Sequence, residues 1–128
     1  MKAQAGIEFL FYVAITLIIL TLFLYSSYSK QAELTKLKID NELKDLAKSA
    51  AFEINSAVRA GDGYERKFNM KEYYSNIKEF NITIKENIVE VNFGSIYHYS
   101  NLITKNIVGN FTLDWNFIRN QNGVIYVN

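Results

Sequence analysis

The sequence predicts an α+β fold, one long N-terminal α-helix packed on a small C-terminal antiparallel β-sheet, and three observations carry that reading. Residues 9–29 contain no charge and are dominated by Leu, Ile, Phe and Val, a run of roughly 20 residues that as a helix crosses a bilayer. Residues 30–60 place Leu34, Leu37, Leu43, Leu46, Ala50, Ile54 and Ala57 at steps of three and four among charged residues, the spacing of an amphipathic helix. Past Gly63 the period falls to two, and short runs rich in Tyr, Phe, Ile and Val alternate with turn residues, the mark of strands.

The first two segments join without a breaker, since the chain has no proline, and one helix is expected from near Gln4 to about Ala60. At 1.5 Å per residue it is on the order of 80 Å long. Its first half suits lipid or a packed apolar bundle, and its second half needs a partner on one face only. That stripe is expected to be a core face, because its heptads are too irregular for a coiled-coil seam. Asp40 and Lys44 offer an i,i+4 ion pair, and Gly61-Asp62-Gly63 is a stop signal. A cleaved secretory signal would have an apolar core of roughly 7–15 residues followed by a small-residue cleavage site. This run is longer and ends in YSSYSK, so cleavage after it is not expected. Lys2 precedes the run while Lys30, Lys36 and Lys38 follow it, and the positive-inside rule taken alone points weakly away from an exported body.

In the C-terminal part strands are expected over 64–70, 80–85, 88–93, around 96–99, and over 111–115 and 124–127, forming a sheet of four to six strands. Lys85-Glu86-Asn87 reads as a tight turn. Asn122-Gly123, flanked by FIRNQ and VIYVN, is the strongest hairpin signal, because a type I′ turn needs positive φ at both central positions. Neither the sheet nor the amphipathic helix can bury its apolar side alone, so the two are expected to pack together.

Composition excludes several function classes. The net charge is +1 with both signs scattered, which leaves no electrostatic footprint for nucleic acid. Without cysteine neither a disulfide framework nor a thiolate metal site forms. His98, the only histidine, lies between Tyr97 and Tyr99 and has no second His or Cys to complete a zinc site; it reads as a strand-surface residue. No Gly-rich phosphate loop and no nucleophile with its base is present, so no enzyme activity and no cofactor is expected. Trp115 and the aromatics near it are expected in the core or in contacts between subunits, and their spacing does not support a carbohydrate patch. The sequons Asn81-Ile82-Thr83 and Asn110-Phe111-Thr112 are candidate N-glycosylation sites, although chance supplies such triplets nearly as well.

Glu8 raises the functional question. A carboxylate at the start of an apolar run costs a few kcal/mol or more unless it is paired or reaches the interface. A cut after Ala3 would make Gln4 the N-terminus, and its amine would lie one helical turn from Glu8 at the positive end of the helix dipole. The stretch KAQAGIEFLF resembles the leader and mature start of archaeal type IV pilin-like proteins with a class III signal peptide: a basic residue, Gly, then Gln, with Glu at the fifth mature position and a long apolar helix after it. The text from EINSAVRAGDGYERKF to NGVIYVN is similar to bodies found behind such leaders. Two positions depart from the pattern, Ala3 for Gly and Gly6 for the common Ser.

The resemblance implies a leader (1–3), a transmembrane or assembly helix (4–29), its amphipathic continuation (30–60) and a β-sheet body (61–128). It implies processing between Ala3 and Gln4 by a prepilin peptidase, and a precursor held in the membrane with its body outside. Assembly by a pilus platform would follow, through Glu8, Phe9, Phe11, Leu17 and Leu20, into a cell-surface filament of this or other pilin subunits, for adhesion or surface attachment. The alternative is an uncleaved single-pass membrane-anchored binding protein whose external sheet recognises a ligand.

Overall fold

The computed structural model describes residues 2–74, 77 and 79–128, the side chains of Lys2 and Ala3 excepted. Helix α1 covers Lys2–Ala60. The chain divides into two compact units, residues 1–37 and residues 38–128, and each is described by itself.

The second unit holds the rest of α1 and seven strands: β1 (Glu65–Asn69), β2 (Asn81–Lys85), β3 (Ile88–Phe93), β4 (Ile96–Asn101), β5 (Ile107–Gly109), β6 (Trp115–Gln121) and β7 (Val124–Val127), with a short 3-10 helix at Met70–Tyr73. They form two sheets rather than one. The four-stranded sheet has the order β1-β6-β7-β5 and the three-stranded sheet β2-β3-β4. All pairs are antiparallel except β5 with β7, which is parallel. One core joins both sheets to α1: Leu43, Leu46, Ala50, Ile54 and Ala57 pack with Phe68, Met70, Val89, Val91, Ile118, Ile125 and Val127. The α+β class stands, with the apolar stripe of the amphipathic half as the core face.

Several expectations are corrected in detail. The buried stripe starts at Leu43, whereas Leu34 and Leu37 are 62% and 52% exposed. Asp40 meets His98 Nε2 at 2.9 Å rather than Lys44 one turn on. The strand expected over 111–115 is a loop, and β6 begins only at Trp115. Asn116 is the reason: its Oδ1 accepts from Thr112 N at 2.7 Å, and its Nδ2 donates to the carbonyls of Thr112 and Asp114 at 2.9 and 3.0 Å. These bonds fold the chain back locally and remove those groups from any ladder. Trp115 is outward and 55% exposed, while Asn116 is 1% exposed. The aromatic set of β6 therefore faces out, and its Asn and Ile set faces the core.

Two turns follow their residue chemistry. The β2–β3 hairpin closes over Glu86 and Asn87, since Lys85 pairs with Ile88. The β6–β7 hairpin closes over Asn122 and Gly123 with φ of 52° and 80°, the positive pair that a type I′ turn requires.

A polar cluster fixes α1 against the first strand. Glu53 is 2% exposed. Tyr73 Oη donates to its Oε1 at 2.6 Å, and Arg66 Nε lies 3.1 Å from its Oε2. Oε2 has no hydrogen bond among the described residues, so the Arg66 contact is Coulombic. The carboxylate holds Arg66 above the usual guanidinium range. Burial, then the bond to Glu53, pushes the Tyr73 hydroxyl up to about 12. Asn120 adds a second tie, donating from Nδ2 to Ala57 O at 2.9 Å and accepting from Gly123 N at 3.2 Å.

Two outcomes follow. A Cβ at Gly109, where φ is +100°, overlaps the Val127 carbonyl, whereas at Gly123 it meets nothing. Gly123→Ala should therefore cost about 1 kcal/mol of left-handed strain, and Gly109→Ala should cost more because β7 must also move; thermal unfolding of the two variants checks the order. For Tyr73 the folded pKa lies above the unfolded value, so its contribution is full below pH 10 and is lost as pH rises toward 12. The melting temperature should fall through that window in the parent chain more steeply than in Tyr73→Phe.

Candidate functional site

The first unit is all helix. Each residue from 4 to 26 is exposed, among them Phe9 at 66%, Phe11 at 64%, Leu17 at 57% and Leu20 at 50%. With 3.6 residues per turn, Phe9, Leu17 and Leu20 share one side about 80° wide, and Phe11 lies on the opposite side. The surface is therefore apolar on every side rather than along a stripe, the pattern of a helix surrounded by lipid or by other helices. Burying a large apolar side chain is worth at least about 1.5 kcal/mol, so the fifteen exposed between Ile7 and Tyr25 represent more than about 20 kcal/mol left in water. That exceeds the whole stability of an ordinary domain, about 5–15 kcal/mol. The helix is long and apolar enough to cross a membrane.

The two threonines of this surface are satisfied locally. Thr16 Oγ1 donates to Tyr12 O and Thr21 Oγ1 to Leu17 O, both at 2.8 Å, so neither hydroxyl needs water. Gln4 and Glu8 come together as their spacing implies: Gln4 Nε2 donates to Glu8 Oε1 at 3.4 Å. The bond is long and its donor neutral, and no Lys or Arg pairs with Glu8 among the described residues. The backbone of Ala3 belongs to α1, while its side chain lies outside the described residues.

The sequons are placed differently. Asn81 opens β2 with an exposed side chain, and Thr83 follows on the same face. Asn110 is also exposed, but its Oδ1 accepts from Ile84 N at 3.1 Å and from Phe111 N at 3.0 Å. It thereby occupies a free N–H on the edge of the three-stranded sheet. His98 is partly buried on β4 beside Asp40 of α1. Among the described residues no group of three or more His, Cys, Asp or Glu is placed to hold a metal.

Sequence reasoning passed over Glu53, Asn116 and Asn120. The signal for Glu53 was legible: it lies three residues after Ala50 and four before Ala57, a carboxylate inside the apolar stripe.

A checkable consequence is that the full chain stays in the membrane pellet after alkaline carbonate extraction. Leu17→Arg with Leu20→Arg should release it, because each Arg at mid-span costs about 3 kcal/mol on insertion scales.

Compared with protein-family models, curated proteins and solved structures, the chain has no match.

Proposed function

We propose that this chain is a structural subunit, a major or minor pilin, of an archaeal type IV pilus-like filament that serves adhesion or surface attachment. The observation that carries the reading is the surface of residues 4–26, exposed and apolar on every side with one carboxylate, Glu8, near its start. Lipid covers such a surface in a precursor, and the same surface of other subunits covers it in a filament core. The sequence KAQAGIEFLF, with its resemblance to class III leaders, supports cleavage between Ala3 and Gln4 by a prepilin peptidase. The second unit, closed around its own core, suits an extracellular body carried by that helix.

In this reading the peptidase frees an amine on Gln4, and the assembly platform moves the subunit from lipid into the bundle. The bundle is a low-dielectric place where Glu8 requires a cation. The new amine, its own or that of the adjoining subunit, is one, and pairing it with Glu8 sets the axial register of the helices. Removal of Glu8 therefore affects which arrangement forms more than how strongly apolar surfaces attract.

Mass spectrometry of the protein from its native host, in membrane and sheared-surface fractions, tests the reading. The expected N-terminus is Gln4 with a free amine in the sheared fraction; a cyclised Gln4 there would still show the cut but would remove the cation assigned to Glu8. A start at Met1 or Lys2 confined to membranes would instead favour an uncleaved anchor for a binding module. Glu8→Ala and Glu8→Lys should give stable membrane proteins that do not enter filaments, and normal filaments from both would remove the role assigned to Glu8.

A further inference from the structure

We infer that the groove beside β2 is a binding site for a neutral saccharide. The groove has two parts of about 380 and 430 Å³ that share Phe80, Asn81, Asn92 and Leu113; Thr83 and Thr112 line the first. Asn81 and Asn92 are direct partners across the β2–β3 ladder, so their side chains share a face, and Thr83 lies on it two residues along.

The chemistry of these groups selects the ligand. Each carboxamide offers two N–H donors and a carbonyl acceptor, and each hydroxyl both donates and accepts. Elsewhere in this unit Asn55, Asn69, Asn110, Asn116, Asn120 and Asn128 use their side chains to hold backbone groups. The side chains of Asn81, Thr83 and Asn92 have no hydrogen-bond partner among the described residues, so their capacity faces the groove unspent. Of the charged residues lining it, Lys85 and Glu90 in the first part bind each other at 2.6 Å, and Glu79 in the second part is an exposed carboxylate, so the groove offers a phosphate or sulfate no spare cation. Leu113, 38% exposed, adds apolar surface, and Phe80, 6% exposed, backs the wall from the core. A pyranose ring matches this combination, with hydroxyl groups around its rim and C–H bonds on its faces. A few convergent polar groups on an apolar base are what small-ligand sites share.

The rival occupant of a groove beside an edge strand is an extended peptide added to the sheet. Asn110 opposes it, because its Oδ1 already takes the Ile84 N–H that an added strand would need. The saccharide reading stands apart from the filament proposal, since it concerns the second unit alone and holds for a filament subunit or a plain anchor.

The test uses the full chain in micelles, produced in a host without N-glycosylation, titrated with chitotriose and followed by nitrogen–proton NMR. Saturable shifts are expected at the Asn81 and Asn92 side-chain amides. Asn92→Ala should weaken binding about tenfold, the scale of one lost hydrogen bond, Leu113→Arg should block the groove, and Tyr99→Ala should leave affinity unchanged. All three positions are at least partly exposed, so folded spectra are retained. Binding by both this protein and the protein from its native host supports an external saccharide. Binding by the unmodified protein only, with sugar found on Asn81 of the native-host protein, supports a groove filled by the chain's own glycan. Absence of saturable shifts in the unmodified protein, or shifts that survive both Asn92→Ala and Leu113→Arg, overturns the inference.

Discussion

Everything in this molecule follows from one helix that has to satisfy two different surroundings. Over residues 4–26 the side chains of α1 are apolar on every side and uncovered, and from Leu43 onward they are buried on a single face. Water is a poor solvent for the first segment by a margin larger than a domain's whole stability. A helix is also the backbone form that meets its own hydrogen-bonding needs inside an apolar medium. The threonines of that segment extend the economy to side chains by returning their hydroxyls to carbonyls one turn back. Proline, the residue that would interrupt such a ladder, is absent from the chain.

The second unit solves the complementary problem of giving a one-sided helix a unique seat. Apolar burial against two sheets supplies the attraction, but it is non-directional and would tolerate a helix slipped or rotated by a residue. Directional groups remove that freedom. Glu53 binds Tyr73 and faces Arg66, Asn120 reaches the Ala57 carbonyl, Asn55 accepts from Ile103 N at 2.9 Å, and Asp40 meets His98. Each links α1 to a different place in the sheets or their connections, and a slip would leave several of them unpartnered at once. A buried ion pair is weak evidence for net stability; here its consequence is position.

How much of this was legible in the sequence depends on whether the signal was local. The strands at Ile88–Phe93 and Val124–Val127 and the Asn122-Gly123 turn are set by alternation and by backbone demands that a few residues reveal. The helix and the four-residue spacing of Gln4 and Glu8 were equally open to reading. Three things were not. Alternation along β6 separates Trp115, Phe117 and Arg119 from Asn116, Ile118 and Asn120, but it does not say which set faces inward. The asparagines go in because backbone groups of the loop at Thr112 and of the last turn of α1 at Ala57 wait there for partners, a non-local fact. The three residues of β5 are too few for any periodicity, and their parallel pairing with β7 has no turn to announce it. The groove beside β2 depends on a loop some thirty residues away, Phe111–Leu113, being folded back by Asn116.

The placement of Glu8 bears on how processing and assembly would be coupled in the proposed filament. In the full chain its neighbour one turn back is an amide, at a distance of 3.4 Å, and a neutral donor does not cancel a carboxylate's charge. At a membrane surface that is tolerable, because water reaches the group. Inside a bundle of apolar helices it is not, since desolvating an unpaired carboxylate costs several kcal/mol. Cutting the chain between Ala3 and Gln4 would put an ammonium where the backbone amide of Gln4 now stands, with no change in the spacing of four residues. The uncut subunit would then be tolerated in lipid and penalised in the bundle, while the cut one would carry both members of an ion pair that two neighbouring subunits could share. Under the proposal, a single carboxylate near the start of the helix would thereby make entry into the filament conditional on processing.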